Sequence, residues 1–145
     1  CPLAVGCAQR PFAEVVVQQH QIVASTVHRL DRRAVEFLAS LEAALERFRE
    51  TLEQGLETSR SVEHYARLAK VTPRTLNRLT LRHLGVGAKQ TIDTRVVLEL
   101  KRLLAYSDLS VKELSARFGF DEPTNLVKFF KRHTGTTPQR FRDAR

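Results

Sequence analysis

The sequence has no methionine and no tryptophan, and it has only two cysteines, Cys1 and Cys7, among 145 residues. A disulfide framework or a structural zinc site normally needs more ligands, so we interpret both as ordinary thiols. The five histidines are scattered, so we expect no metal site and no cofactor. Hydrophobic residues make up 42% of the chain, yet no apolar run approaches the roughly 20 residues that span a bilayer.

The sequence also lacks an initiator methionine and a recognisable secretory signal, since the opening CPLAVGC has neither a basic segment nor a long apolar stretch. We therefore expect a fragment of a longer protein. Residues 1–30 would be an irregular segment or the remnant of a further domain. Within them, residues 12–17 and 21–27 are apolar and β-branched enough to form strands.

Acidic residues are scarce in the second half of the chain. The formal net charge is +8, and residues 61–145 hold 17 Lys and Arg against 8 Asp and Glu, whereas residues 1–60 hold 7 against 8. A basic half beside a neutral half favours a polyanionic partner for the basic half alone. A solvated basic surface is the simpler alternative that charge by itself leaves open.

Residues 109–142 have the pattern of a helix-turn-helix. Ser110 and Glu113 form a capping box, which predicts that a short helix starts there. Gly119 is suited to the tight exit, and Pro123 to the first turn of a second helix. Gly135 is placed to end that helix, and a last short helix follows it. The second helix-turn-helix therefore covers about residues 110–135.

The same pattern occurs about fifty residues earlier. Ser61 matches Ser110, and Gly85 matches Gly135 after a one-residue insertion in the second copy. A match held over two dozen positions indicates an internal repeat, with the first helix-turn-helix at about residues 61–85. An amphipathic helix at about residues 88–105, roughly 27 Å long, would join the copies. With the end-turns added, it could set the two recognition helices about 34 Å apart, which is one turn of DNA.

Residues 31–58 form the third predicted element, a helix that Asp31 would cap. Its apolar residues follow a heptad pattern with charged residues around it. Such a seam packs against another helix, either in a second chain or in the same domain. The proposed seam consists of Leu38, Leu41, Leu45, Phe48 and Leu52. The fold class is thus all-α, with the heptad-patterned helix followed by two tandem helix-turn-helix units at residues 59–145.

The second helix of each unit should enter the major groove of DNA, where exposed side chains meet base edges. Arg can bind guanine bidentately, and Asn adenine. The candidate base-reading residues are Arg74, Asn77, Arg78, Thr124, Asn125 and Lys128. The candidate phosphate contacts, which add affinity without sequence information, are Thr72, Arg82, Lys131 and Arg132. The inward-facing His83 and His133 are expected in the core.

The runs ARFGF and FFKRHTGTTPQRFR, in register with Leu126 between them, resemble the signature of AraC/XylS-type transcriptional regulators. The resemblance covers about residue 48 to the C-terminus. It implies that residues 1–30, unless they form an irregular segment, are the remnant of an N-terminal effector-binding domain. It implies a cytoplasmic, sequence-specific regulator of double-stranded DNA, whose base-reading positions match those given above. It also favours a homodimer through the 31–58 helix, and activation would add a contact with RNA polymerase. The first copy departs from the pattern at Thr80, Leu81, Ala88 and Thr91.

Two alternatives belong to other functional classes. Some DNA-alkylation-repair proteins join an AraC-like module to a methyl-acceptor domain in which four thiolates hold zinc, but this chain has only two cysteines. We therefore expect that it is not an enzyme. A helical binding module without sequence specificity is the other alternative, and a footprint without base preference would favour it.

Overall fold

The computed structural model describes residues 32–57 and 59–144, and these residues contain seven α-helices and no strand. The helices are Arg32–Gly55 (α1), Val62–Leu68 (α2), Pro73–Leu84 (α3), Ala88–Tyr106 (α4), Val111–Arg117 (α5), Pro123–Thr134 (α6) and Pro138–Asp143 (α7). The predicted all-α class with two tandem helix-turn-helix units is confirmed. The predicted strands, both cysteines and the Asp31 cap lie outside the described residues.

The helix starts follow from the caps that the sequence supplies. The hydroxyl oxygens of Ser61, Thr72 and Thr137 each accept a backbone N–H three residues further on. Ser110 and Glu113 form the complete reciprocal capping box, with Glu113 accepting the Ser110 N–H at 2.7 Å. The bond from the Ser110 hydroxyl and this backbone bond lower the pKa of the Glu113 carboxyl. These caps satisfy N–H groups that the first helical turn leaves without a partner.

The turns inside the two helix-turn-helix units have the same backbone shape but different residues. Gly119 has φ +65° in the second unit, and Lys70, which matches it in the repeat, has φ +59° in the first. This left-handed conformation crowds the Cβ of any residue other than glycine. The first turn is therefore strained where the second is not.

Helix α4 lies at the centre of the compact unit that begins at Leu41. It contacts α2 and α3 of the first helix-turn-helix, and α6 and α7 at the second. Five of its side chains are at most 1% exposed, namely Ala88, Ile92, Val96, Leu100 and Leu104. No described helix is long and apolar enough to cross a membrane.

The heptad seam of α1 requires a correction. Leu45, Phe48 and Leu52 are at most 6% exposed within this chain's own core, so they have no surface to offer to a second chain. The ring of Phe48 packs edge-on against Tyr65 at 5.8 Å. Leu41 is partly buried against the same core, whereas Leu38 is exposed. Of the two possibilities that the sequence left open, packing against the helix's own domain is the one that applies to residues 41–55.

Polar contacts hold the same part of α1 in place. Arg47 donates from Nη2 to the Ala69 carbonyl at the end of α2, over 2.9 Å. Glu53 pairs with Arg95 of α4 at 3.3 Å. Just beyond α1, Glu57 pairs with Arg117 of α5 at 2.6 Å. The second half of α1 is therefore part of the framework of the compact unit that begins at Leu41.

Phe48→Ala should lower the free energy of unfolding by about 3–5 kcal/mol, because it removes a fully buried ring from the core. Leu98→Ala is the control, since Leu98 of α4 is 53% exposed and its truncation should change stability by less than about 0.5 kcal/mol. Urea denaturation of both variants measures the difference. Equal stability of the two variants would contradict the intramolecular packing of α1.

Lys70→Gly should raise the free energy of unfolding by roughly 0.5–1 kcal/mol. The substitution removes a left-handed strain of about 1–2 kcal/mol, offset in part by the greater freedom of glycine in the unfolded chain. Lys70→Ala is the control, because it removes the same charge but keeps the Cβ. Thermal melting should show the gain only for glycine; a similar melting temperature for both variants would show that the strain is absent.

Candidate nucleic-acid interface

The helices α3 and α6 are basic and contain no acidic residue. Each buries one face, which consists of Leu76, Leu79 and Thr80 in α3 and of Leu126, Phe129 and Phe130 in α6. Because an α-helix repeats every 3.6 residues, residues four apart share a face. The face opposite the core is therefore available for a ligand.

A row of exposed polar side chains follows that face at a spacing of four residues. In α3 the row is Arg74, Arg78 and Arg82, and all three are exposed. In α6 the matching positions are Thr124, Lys128 and Arg132, which are also exposed. At 1.5 Å per residue each row is about 12 Å long. The repeat thus conserves the geometry of the row in both modules, with a cation at its second and third positions.

Asn77 is not free to read a base in the way predicted for it. Its Oδ1 accepts the backbone N–H of Ala88 over 3.1 Å, at the first turn of α4. The N-cap residue of α4, Gly87, has no side chain to make this bond. Bidentate recognition of adenine needs both the oxygen and the nitrogen of the amide. The side chain of Asn77 thus caps the next helix, and its amide oxygen is engaged within the chain.

The remaining predicted residues have different surroundings. Thr124 is exposed and its hydroxyl lies 3.1 Å from the Glu122 carboxylate. Asn125 is exposed and lines a groove beside α6. Thr72 caps α3, and its hydroxyl oxygen accepts the Thr75 N–H over 3.1 Å. Lys131 is exposed near the end of α6.

A polar connection joins α4 to α6 near the interface. The buried Asp93 accepts a hydrogen bond from Lys89 at 2.7 Å and lies 3.9 Å from Nε2 of His133. The ring of His133 also packs against Phe129 at 4.6 Å between centroids. His133 and His83, the matching residue in α3, are both exposed. The expectation of a core position is therefore wrong for both.

Thr80 occupies the buried position at which the second unit has Phe130. It is fully buried, and its hydroxyl donates to the Asn77 carbonyl at 3.0 Å. The polar group is thus satisfied inside the helix, although the side chain is much smaller than phenylalanine. Leu81, another departure from the family pattern, is 49% exposed. Both substitutions leave the exposed row of α3 unchanged.

Arg60 is a candidate that sequence analysis missed. It directly precedes the cap of α2, and its guanidinium carbon lies 3.6 Å from the centroid of the Phe120 ring in the second unit. In the repeat, Arg60 matches Leu109, which packs against the core. The signal available in the sequence was that the first copy has arginine at this position whereas the second copy has an apolar residue. Its partner could not be read from the sequence because Phe120 is sixty residues away.

No cluster of three or more His, Cys, Asp or Glu that could hold a metal occurs within residues 32–57 and 59–144. The surface chemistry near α3 and α6 instead consists of cations, amides and hydroxyls. Such groups bind phosphate oxygens and the edges of bases.

Comparison with known proteins agrees with this geometry. Residues 65–144 match the family model of a helix-turn-helix domain. The HTH-type transcriptional regulator GlxA of Rhizobium meliloti (strain 1021) is 35% identical over 99 residues, which are 68% of this chain and 29% of that protein. The chain thus spans less than a third of the length of this curated relative.

Two solved structures are also similar. The DNA-binding domain of the global transcriptional factor AdpA, in complex with a target DNA, is 34% identical with a TM-score of 0.62, over 70% of this chain and 91% of that one. The C-terminal domain of AraT from Geobacillus stearothermophilus has a TM-score of 0.65 over 70% of this chain and 85% of that one. At 22% identity, the second likeness shows the fold alone.

The role of Asn77 as a helix cap can be tested through Gly87. A Cβ at position 87 would come within 2.7 Å of Asn77 Oδ1, so Gly87→Ala should displace the amide and lose its bond to Ala88. We expect Gly87→Ala and Asn77→Ala each to lower the free energy of unfolding by about 1 kcal/mol. The double variant should cost little more than Asn77→Ala alone. Additive effects in urea denaturation would contradict this coupling.

Proposed function

Because the chain belongs to the AraC/XylS-type helix-turn-helix family, we propose that it is a transcriptional regulator that binds double-stranded DNA sequence-specifically. In this proposal α3 and α6 enter successive major grooves of one duplex. The observation that carries it is the exposed row of α3 together with its counterpart on α6. The likeness to a domain bound to its target DNA supports the same assignment.

The length of α4 supports placement in successive grooves. Its 19 residues extend over about 28 Å at 1.5 Å per residue. With the adjoining turns, this length suits recognition helices one DNA turn apart, about 34 Å. Because α4 contacts elements of both modules, it serves as the spacer between them.

Within the interface, the residues at the start of each row are assigned to bases. Arg74 and Arg78 would bind guanine through O6 and N7, a pairing that discriminates strongly among base pairs. Thr124, Asn125 and Lys128 would contact bases through α6. The phosphate contacts would be Thr72, Arg82, Lys131 and Arg132. Asn77 is left out of the base-reading set because its oxygen is occupied.

The same proposal covers the intact protein's setting. It acts without catalysis, in the cytoplasm, and a contact with RNA polymerase accompanies activation. A homodimer contact on α1 would use the exposed Val35, Phe37 and Leu38, since the later seam residues are buried in this chain. These three apolar residues are at least 40% exposed.

Arg78→Ala should weaken binding to the preferred duplex by about 1–3 kcal/mol and relax preference at one base pair, because it removes a bidentate base contact. Arg82→Ala is the matched comparison, one helical turn further along the same row. It should weaken binding to all sequences by a similar factor and lower the salt slope by about 0.9, as expected for one phosphate.

Fluorescence anisotropy with the preferred duplex, single-base variants and an unrelated duplex measures both effects. The unrelated duplex reports the sequence-independent part of the binding. Equal weakening of every duplex by Arg78→Ala would remove this residue from the base-reading set. Absence of any sequence preference in the unaltered protein would contradict the proposed function itself.

A further inference from the structure

A groove runs beside α6 on the side of the segment that precedes α2. Its surface is part aromatic and part cationic, and it lies next to the exposed row of α6. The groove is lined by Arg60, Phe120, Asn125, Lys128, Phe129 and Arg132. It therefore combines one residue of the segment before the first module with five residues of the second.

Arg60 is held in this groove by its stacking on aromatic rings. The guanidinium carbon lies 3.6 Å from the Phe120 centroid and 5.7 Å from that of Phe129. Arg132 approaches Phe129 at 5.9 Å. Stacking fixes the plane of a guanidinium while its N–H groups remain available at the edge. Both guanidinium groups thus lie near the Phe129 ring, and their N–H groups remain available as hydrogen-bond donors.

The charge of Arg60 has no close counterion among the described residues, since none of their ion pairs includes it. Partial burial lowers the pKa of the guanidinium, and the charges of Asp93 and Asp121 act in the opposite direction. Asp93 itself is paired with Lys89. Arginine remains protonated under such shifts, so a partly desolvated cation faces the groove.

We propose that Arg60 and Arg132 together bind a phosphate of the DNA backbone between the two major-groove sites. This inference rests on the proposed function and adds Arg60, which lies outside the helix-turn-helix pattern, to the phosphate contact expected of Arg132. Guanidinium groups bind phosphate oxygens through charge-assisted hydrogen bonds. Lys128 lies at the boundary between this phosphate and the bases contacted by α6.

The position of Arg60 gives the contact a second consequence. The residue adjoins Ser61, the cap of the first module, but contacts the second module through Phe120. Its backbone carbonyl also accepts a hydrogen bond from Lys89 of α4 over 3.2 Å. A phosphate bound by Arg60 would therefore hold the segment before α2, α4 and the second helix-turn-helix in one arrangement on DNA.

The test compares Arg60→Met with Arg49→Met, which removes the same charge from an exposed arginine of α1. Anisotropy titrations over a salt series, with the preferred and an unrelated duplex, report affinity and its salt dependence. Arg60→Met should lower the salt slope by about 0.9 and weaken both duplexes by a similar factor, about fivefold to tenfold at 0.15 M salt. Arg49→Met should leave both quantities unchanged.

Neutral phosphate substitutions locate the contact. A scan of methylphosphonates along the preferred duplex should reveal one position that weakens the unaltered protein but has no further effect on Arg60→Met. Arg132→Met, which leaves Arg60 on Phe120, should become insensitive to the same position. This second variant keeps the test decisive if loss of Arg60 impairs folding, which circular dichroism would detect.

The outcomes separate this inference from the proposed function. An unchanged salt slope and an unchanged methylphosphonate profile in Arg60→Met would overturn the phosphate contact while leaving sequence-specific binding intact. A change in preference among bases would also overturn it, because a phosphate contact carries no sequence information. Loss of sequence preference in the unaltered protein would instead overturn the proposed function.

Discussion

The packing of α4 is the constraint on which the rest of the structure depends. Its stripe of Ile92, Val96, Leu100 and Leu104 is buried, and the burial of each such side chain contributes about 1.5–3 kcal/mol. Because α4 contacts elements of both modules, neither can reorient without exposing part of this stripe. Apolar burial thereby fixes the distance and the relative orientation of the two basic helices.

Polar contacts then refine an arrangement that apolar packing determines. Asp93 accepts a hydrogen bond from Lys89 and lies beside His133. The side chain of Asn77 joins α3 to the start of α4. Such contacts are directional. They therefore restrict rotations of α3 and α6 that hydrophobic burial alone would permit. Arg60, in the segment before α2, likewise contacts the Phe120 ring of the second helix-turn-helix.

Local features of the fold were predictable because their causes are local. The capping box at Ser110, the prolines in first helical turns and the left-handed Gly135 each depend on residues within one turn of chain. The heptad seam was harder, since periodicity shows that a helix has an apolar face but not which surface covers it. The bond of Asn77 to Ala88 and the contact of Arg60 with Phe120 were missed because these partners lie eleven and sixty residues away.

Selection of bound DNA from a random library tests most directly whether α4 sets two readers at a fixed separation. The account predicts one motif with two conserved blocks whose centres are separated by about 10 base pairs. Inserting five base pairs between the blocks should abolish the contribution of one of them, because it rotates that block by half a turn. A motif with a single block, or blocks tolerated at any spacing, would contradict the account.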